Sequence, residues 1–197
     1  MIILASQSPR RRELLAGLGV DFKVLAANAD ESCNINDPVL YAEELAKRKG
    51  LATYRLIAEN EGEDVAKESI IISADTVVAA GGEILGKPTD QEDAFRMISL
   101  ISGDTHSVIT GIGITAGGIT HLSHSLTRVT VDHIPEDEIR KYISGGDPMD
   151  KAGAYGIQGE FSRWVRGIDG CYFGVVGLPL NRLNSLYFEV TGRYLGK

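Results

Sequence analysis

Short apolar runs alternate along this chain with segments of helical spacing, and the alternation predicts a mixture of strands and helices. Residues 2–5 form an apolar run suited to a buried strand, and residues 69–80 give the strongest strand signal of the first half. Ser8, Pro9 and Gly19 stand where a helix N-cap, a first helical residue and the residue after the last turn are expected. Further strands are predicted over 22–27, 106–116, 119–134 and 172–178, and further helices over 38–60, 90–101, 135–145 and 179–190.

Glycine and polar residues mark the connections between these elements. Gly81-Gly82 and Gly117-Gly118 predict hairpin turns, the polar stretch 61–68 predicts a loop, and 147–159 is rich in glycine. Because βα alternation and hairpins occur together, we expect an α/β fold with an extended mixed β-sheet, flanking helices and two lobes around a central cleft. No linker-like stretch divides the sequence, which predicts a single domain, 1–197.

Composition and charge narrow the functional classes. Apolar residues make up 43% and charged residues 24%, which excludes a disordered or fibrous chain. The formal charge is −7, so we expect no nucleic-acid partner, and any polyanion must meet a local cluster of Lys and Arg. No apolar stretch approaches the roughly 20 residues of a membrane helix, so we expect no membrane partner. The two cysteines lack the spacing of a zinc site and fit free thiols in a reducing compartment, so we expect a cytoplasmic location.

The segment that precedes the first predicted helix is the first candidate site. A helix N-terminus presents free N–H groups, and the hydroxyls of Ser6 and Ser8 with the guanidinium groups of Arg10 and Arg11 add donors suited to phosphate oxygens. The alternative is helix capping by Ser8 beside a solvated basic turn. The sequence alone leaves both interpretations open.

Asp75 is the second candidate, because it lies within an otherwise apolar strand. Strand interiors disfavour aspartate, and a buried carboxylate without a partner is costly. A carboxylate at this position therefore requires a metal, a cation or a proton to accept, unless it faces water at a sheet edge. Lys87 in a Gly-Lys-Pro turn and Gln158 in the glycine-rich segment are weaker candidates, since surface turns often carry such residues.

Six blocks of this sequence, taken together and in order, resemble the Maf family of nucleotide pyrophosphatases. The blocks are LASQSPRRRELL at 4–15, ISADTVV at 72–78, GKP at 86–88, SGDTHSVITG at 102–111, DKAGAYGIQG at 150–159 and VVGLPL at 175–180. The resemblance implies an α/β fold related to that of the inosine triphosphate pyrophosphatases. It also implies hydrolysis of a nucleoside triphosphate to the monophosphate and pyrophosphate.

The resemblance assigns roles to individual residues. The general base of the family falls on Asp75, and Glu31 is implied to join Asp75 in binding a divalent metal cation, Mg²⁺ or Mn²⁺. The phosphate-binding positions of the family fall on Ser6, Ser8, Arg10, Arg11, Lys49 and Lys87. The resemblance also favours a homodimer, for which the long hairpin 106–134 is a candidate contact.

Three positions distinguish the subfamilies, and all three here resemble the dTTP/UTP type. They are Arg10, Thr76 and Gln158. The amide of Gln158 can both donate and accept, so it can pair with the O4/N3–H edge that uracil and thymine share. Gly50 and Gly174 stand where the family commonly has Ala and Asn. An alternative role associated with the family is that of a nucleotide-sensing regulator of septum formation and cell division with little hydrolysis.

Overall fold

A mixed β-sheet forms the centre of the protein, which is seen here in a computed structural model that describes residues 1–196. Its strands in chain order are β1 (Ile2–Leu4), β2 (Lys23–Val24), β3 (Ile70–Ala80), β4 (Glu83–Leu85), β5 (Thr105–Ala116), β6 (Ile119–Val131) and β7 (Val165–Asp169). They lie side by side in the order β2-β1-β3-β5-β6-β7, and β4 pairs with β3. This confirms the predicted α/β class with an extended mixed sheet.

The directions of the strands follow from how they are connected. β1 is parallel to β2 and β3, whereas the pairs β3–β4, β3–β5, β5–β6 and β6–β7 are antiparallel. Gly81-Gly82 and Gly117-Gly118 form the predicted hairpin turns, and all four glycines have positive φ. In the long β3–β5 ladder Asp75 lies directly opposite Gly111.

Seven α-helices flank the sheet in the part of the chain that is described. They are α1 (Pro9–Ala16), α2 (Pro38–Glu61), α3 (Glu63–Glu68), α4 (Gln91–Ile101), α5 (Glu136–Ser144), α6 (Tyr172–Val176) and α7 (Leu180–Thr191). Asp37 and Asp90 cap α2 and α4 by accepting backbone N–H hydrogen bonds. Short 3-10 helices at 147–150, 152–154 and 160–164 occupy the glycine-rich segment and its continuation. None of the helices in residues 1–196 has the length and apolar character to span a membrane.

Several predicted elements were wrong. The stretch 61–68 contains helix α3, and the strand predicted at 22–27 shortens to two residues. The segment 172–178 forms helix α6 rather than a strand, and β7 at 165–169 was missed. The aromatic and β-branched residues of 172–178 favour a strand, but the Cys171 sulfur accepts the N–H of Gly174 and starts a helical turn. β7 carries Gly167 at its centre and has no apolar run.

The two faces of β3 pack against different helices, as the period of a strand requires. Ile72 and Ala74 lie in a core cluster with Leu15 of α1 and Leu183 of α7. On the opposite face, the alternate residues of β3 lie against α2: Ile71 clusters with Ile57, and Val77 with Ala42. The odd-numbered residues of β3 therefore face α2, whereas Ile72 and Ala74 on the other face lie against α1 and α7.

Helix α2 approaches the sheet closely because two of the contacting residues are glycine. A Cβ atom added at Gly111 would overlap the backbone of Ala42 and Glu43 in α2. A Cβ atom at Gly50 of α2 would lie 2.5 Å from Thr115 Oγ1 and 3.1 Å from Ser73 Oγ. The departure from Ala at position 50 therefore bears on packing, since a methyl group there would require the hydroxyl groups of Thr115 and Ser73 to move.

We expect Gly111→Ala to lower the free energy of unfolding by about 2 kcal/mol, because the new methyl group meets rigid backbone and must displace α2. Urea denaturation measures the change. Gly167→Ala is the matched control, since its Cβ would meet nothing within 4 Å on the exposed strand β7. The control should change stability by less than about 0.5 kcal/mol. Equal stabilities of the two variants would contradict the close approach of α2.

Candidate active site

A cavity of about 800 Å³ opens beside β3 and is lined by residues from eight parts of the chain. These are the turn between β1 and α1, the stretch 26–31, Lys49 of α2, the middle of β3, Lys87, Val108 of β5, the glycine-rich segment and the end of α6. The volume is in the range of small-molecule sites. The structure brings all the sequence-predicted site residues to this cavity: Ser6, Ser8, Arg10, Arg11, Glu31, Lys49, Asp75, Thr76, Lys87 and Gln158.

The cavity lies at a gap in the sheet. β1 pairs with β3 only over Ile70–Ile72, and β4 pairs with the same edge of β3 only over Val78–Ala80. Between these two pairings no strand of the described chain covers that edge of β3. Both faces of the strand are therefore accessible from the gap, and Asp75 and Thr76 line the same cavity although successive residues point to opposite faces.

Asp75 is 8% exposed and its carboxylate is paired with a cation. Lys49 Nζ of α2 donates to Asp75 Oδ1 at 2.5 Å and lies 2.9 Å from Glu31 Oε1. Asp75 is thus neither a solvated surface residue nor an unpaired buried charge, and the sequence-based requirement for a partner is met by Lys49.

Arg11 joins three segments that line the cavity through its hydrogen bonds. Its Nε donates to the carbonyl of Gly177 at 2.8 Å, and its Nη1 donates to the carbonyl of Ala74 at 2.8 Å and to Ser6 Oγ at 3.3 Å. Its Nη2 donates to Thr76 Oγ1 at 3.1 Å. Burial lowers the pKa of the Arg11 guanidinium. Because these bonds use four of the five N–H groups of the guanidinium, one N–H is left for a ligand.

The interpretation of Ser8 as a helix cap does not fit the hydrogen bonds of the serines before α1. Ser8 stands at the N-cap position, but its side chain makes no capping hydrogen bond to α1 among the described residues. Ser6 Oγ instead accepts the backbone N–H of Ser8 at 3.2 Å. Capping by Ser8 was therefore wrong. Its hydroxyl lines the cavity beside the helix N-terminus, where it suits an anion.

Arg10 points away from Arg11 toward the glycine-rich segment. Its Nη1 donates to Asp150 Oδ2 at 3.1 Å, and Lys151 Nζ donates to Asp150 Oδ1 at 2.8 Å and to Asp147 Oδ1 at 3.0 Å. Sequence reasoning missed the roles of Asp147 and Asp150. The available signal was the placement of acidic residues at the start of a segment that otherwise consists of small residues.

Lys87 and Gln158 lie on neighbouring backbone. The carbonyl of Gly86 accepts the N–H of Gly153 at 2.9 Å, which joins the Gly-Lys-Pro turn to the glycine-rich segment. Gly153 has a φ of +67°, and a Cβ atom there would lie 2.7 Å from Val78. Glycine is thus required for this junction, which places both side chains at the cavity.

Two carboxylates are available to hold a metal ion. Asp75 and Glu31 both contact the Lys49 ammonium, so their oxygens already converge on a position for positive charge. Within residues 1–196 no group of three or more His, Cys, Asp or Glu side chains is placed to hold a metal. The donor set therefore fits a hard divalent cation that is shared with the oxygens of a ligand, rather than one enclosed by protein alone.

The chain is similar over almost its whole length to a known family and to curated relatives. A family model described as Maf-like protein matches residues 1–190. The chain is 44% identical over 196 residues to the dTTP/UTP pyrophosphatase of Thermococcus kodakarensis, covering 98% of this chain and 100% of the relative. It is 47% identical over 194 residues to the dTTP/UTP pyrophosphatase of Agathobacter rectalis, covering 92% of this chain and 93% of the relative.

Similarity to solved structures is weaker. The Staphylococcus aureus Ham1 protein is 12% identical, with a TM-score of 0.45, over 66% of this chain and 71% of that chain. The fold class rests on the strand order and pairing described above.

We expect Arg11→Lys to lower the free energy of unfolding by roughly 2 kcal/mol, because an ammonium group cannot reach the carbonyls of Ala74 and Gly177 together. The exposed neighbour Arg12 offers a control, and Arg12→Ala should unfold close to the wild type. Urea denaturation of the three proteins measures the difference. If Arg11→Lys is as stable as Arg12→Ala, the role of Arg11 in joining the three segments is wrong.

Proposed function

We propose that this chain, which belongs to the Maf-like protein family, is a nucleoside triphosphate pyrophosphatase that acts on dTTP and UTP. The resemblance drawn from the six sequence blocks is confirmed by the match to the family over residues 1–190. The observation that carries the proposal is the pairing of Asp75 with Lys49 in a cavity that also collects Ser6, Arg10 and Lys87. A carboxylate beside the cationic side chains of Arg10, Lys49 and Lys87, here called the cationic wall, suits the hydrolysis of a polyphosphate.

The cationic wall acts on the triphosphate tail. Attack of water on the α-phosphorus must overcome the negative charge of the tail, and Arg10, Lys49 and Lys87 offset that charge. The hydroxyls of Ser6 and Ser8 and the N-terminus of α1 offer further groups for phosphate oxygens. As the bond from the α-phosphorus to its bridging oxygen breaks, the electron pair leaves with pyrophosphate, whose growing charge these groups stabilise.

Asp75 acts on the water. The carboxylate accepts a proton from the water as the water oxygen bonds to the α-phosphorus. Lys49 holds the carboxylate in place through the 2.5 Å hydrogen bond to Oδ1, which leaves Oδ2 for the water. Asp75 and Glu31 would also hold a divalent cation, Mg²⁺ or Mn²⁺. A bound cation of this kind supplies further positive charge to the triphosphate.

Base recognition involves the three positions that distinguish the subfamilies. Arg10, Thr76 and Gln158 all line the cavity, and the amide of Gln158 can donate to O4 on the O4/N3–H edge of uracil and thymine. The names of the relatives from Thermococcus kodakarensis and Agathobacter rectalis support the same pyrimidine preference. A cytoplasmic location, a single domain with two lobes and a homodimer through the β5–β6 hairpin remain part of this proposal. Size-exclusion chromatography tests the dimer.

Asp75→Asn keeps the shape of the side chain and removes its basicity. We expect kcat for dTTP to fall on the order of 10³-fold, because the variant has no base to accept the proton of the water. Binding of dTTP, measured by calorimetry, should change much less. Asp64→Asn on the exposed start of α3 serves as the control and should turn over normally. Turnover by Asp75→Asn at the wild-type rate would contradict the assignment of Asp75 as the general base.

A panel of triphosphates tests the reaction class. Release of pyrophosphate should be faster from dTTP and UTP than from CTP, ATP and GTP, since a mispaired buried polar group costs about 1–3 kcal/mol. Removal of divalent metal by EDTA should abolish the release, and Mg²⁺ or Mn²⁺ should restore it. A chain that binds these nucleotides without releasing pyrophosphate would instead fit the regulatory role associated with the family.

A further inference from the structure

The hydroxyl of Thr110 has a hydrogen bond whose direction is determined by its partner. Thr110 lies in β5, is fully buried, and its Oγ1 is 2.7 Å from the carbonyl oxygen of Gly174 in α6. A carbonyl oxygen accepts only, and a threonine hydroxyl carries a single proton. The proton of Thr110 therefore points to Gly174 and is available to no other group.

The direction of the next hydrogen bond follows from the first. Thr76 Oγ1 lies 2.9 Å from Thr110 Oγ1. Because the proton of Thr110 is engaged with Gly174, Thr76 must be the donor in this pair. On its other side Thr76 Oγ1 accepts from Arg11 Nη2 at 3.1 Å, since a guanidinium has no acceptor. The chain of donors runs from Arg11 through Thr76 and Thr110 to Gly174.

This chain of donors restricts the hydrogen bonds that Thr76 can make with a ligand in the cavity. Its one proton is directed at Thr110, and one of its two lone pairs is directed at Arg11. A single lone pair remains, so toward a ligand Thr76 is an acceptor and not a donor.

We propose that Thr110 is a positioning residue that keeps Thr76 an acceptor, and that this acceptor selects the N3–H of uracil and thymine against the bare N3 of cytosine, while the amide of Gln158 donates to O4. The inference rests on the proposed function, because dTTP and UTP share this N–H. On the pairing edge of both bases N3–H is the only donor, and it lies between two carbonyl acceptors. Cytosine presents a lone pair at N3, which would face the lone pair of Thr76 without a proton between them.

Thr110→Val tests the chain of donors because valine has nearly the same shape and lacks the hydroxyl. Thr76 then loses its acceptor, and its proton becomes free to turn toward the cavity and donate to N3 of cytosine. Thr110→Ser is the matched control, since it keeps a hydroxyl that can bond both Gly174 and Thr76. Thr110 has no exposed surface, so it cannot contact the substrate and acts only through its partners, Thr76 and Gly174.

The measurement is the ratio of kcat/KM for UTP to kcat/KM for CTP in the wild type and both variants. The ratio does not depend on the fraction of active protein. We expect it to fall about tenfold in Thr110→Val, mainly through a lower KM for CTP, and to stay within about twofold of wild type in Thr110→Ser. A Thr110→Val variant that loses activity toward both nucleotides equally would overturn the proposal and leave Thr110 a structural role.

Binding of UMP and CMP, measured by isothermal titration calorimetry, tests the same preference without turnover. Equal affinity of the wild type for the two monophosphates would contradict the proposal. If the wild type hydrolyses neither UTP nor CTP, the proposed function fails, and the UMP-to-CMP affinity ratio still decides the inference. Should Thr110→Val not fold, Thr110→Ala replaces it. Alanine also lacks the hydroxyl, so an unchanged ratio would again contradict the proposal.

Discussion

The close contact of α2 with the sheet is the constraint on which the site depends. Lys49 lies next to Gly50, and a side chain at Gly50 would require the hydroxyl groups of Ser73 and Thr115 to move. Gly111, which is paired with Asp75 in the ladder, allows the same helix to approach at Ala42. A lysine ammonium can reach the carboxylate of a strand residue at 2.5 Å only when helix and strand are held this close.

Arg11 provides a second constraint, at the gap between β1 and β4. At this edge the carbonyl of Ala74 has no neighbouring strand among the described residues to supply a donor, and the guanidinium of Arg11 takes that place. The same group reaches Gly177 beyond α6. A buried backbone carbonyl without a partner is costly, so the gap that admits a ligand is stable because α1 supplies this side chain.

The sequence predicted the parts of this arrangement that depend on local pattern. The long helix α2, the strand β3 and both glycine hairpins follow from spacing and turn residues, and the site residues follow from the resemblance to a family. The segment 172–178 was misassigned because residues with strand propensity are held as a helix by Cys171 and by packing against β5. The pairing of Arg10 with Asp150 spans 140 positions, and no local pattern encodes such a contact.

The gap at the edge of β3 also explains how the adjacent residues Asp75 and Thr76 can have different roles in one cavity. Asp75 faces α2 and meets Lys49, whereas Thr76 faces α1 and meets Arg11. In a strand covered on both edges these side chains would belong to separate compartments, because successive residues point to opposite faces. Where β1 has ended and β4 has not yet begun, a ligand can pass around the edge of the strand and contact both. The interrupted sheet edge therefore brings a carboxylate from one face of β3 and a hydroxyl from the other to the same cavity.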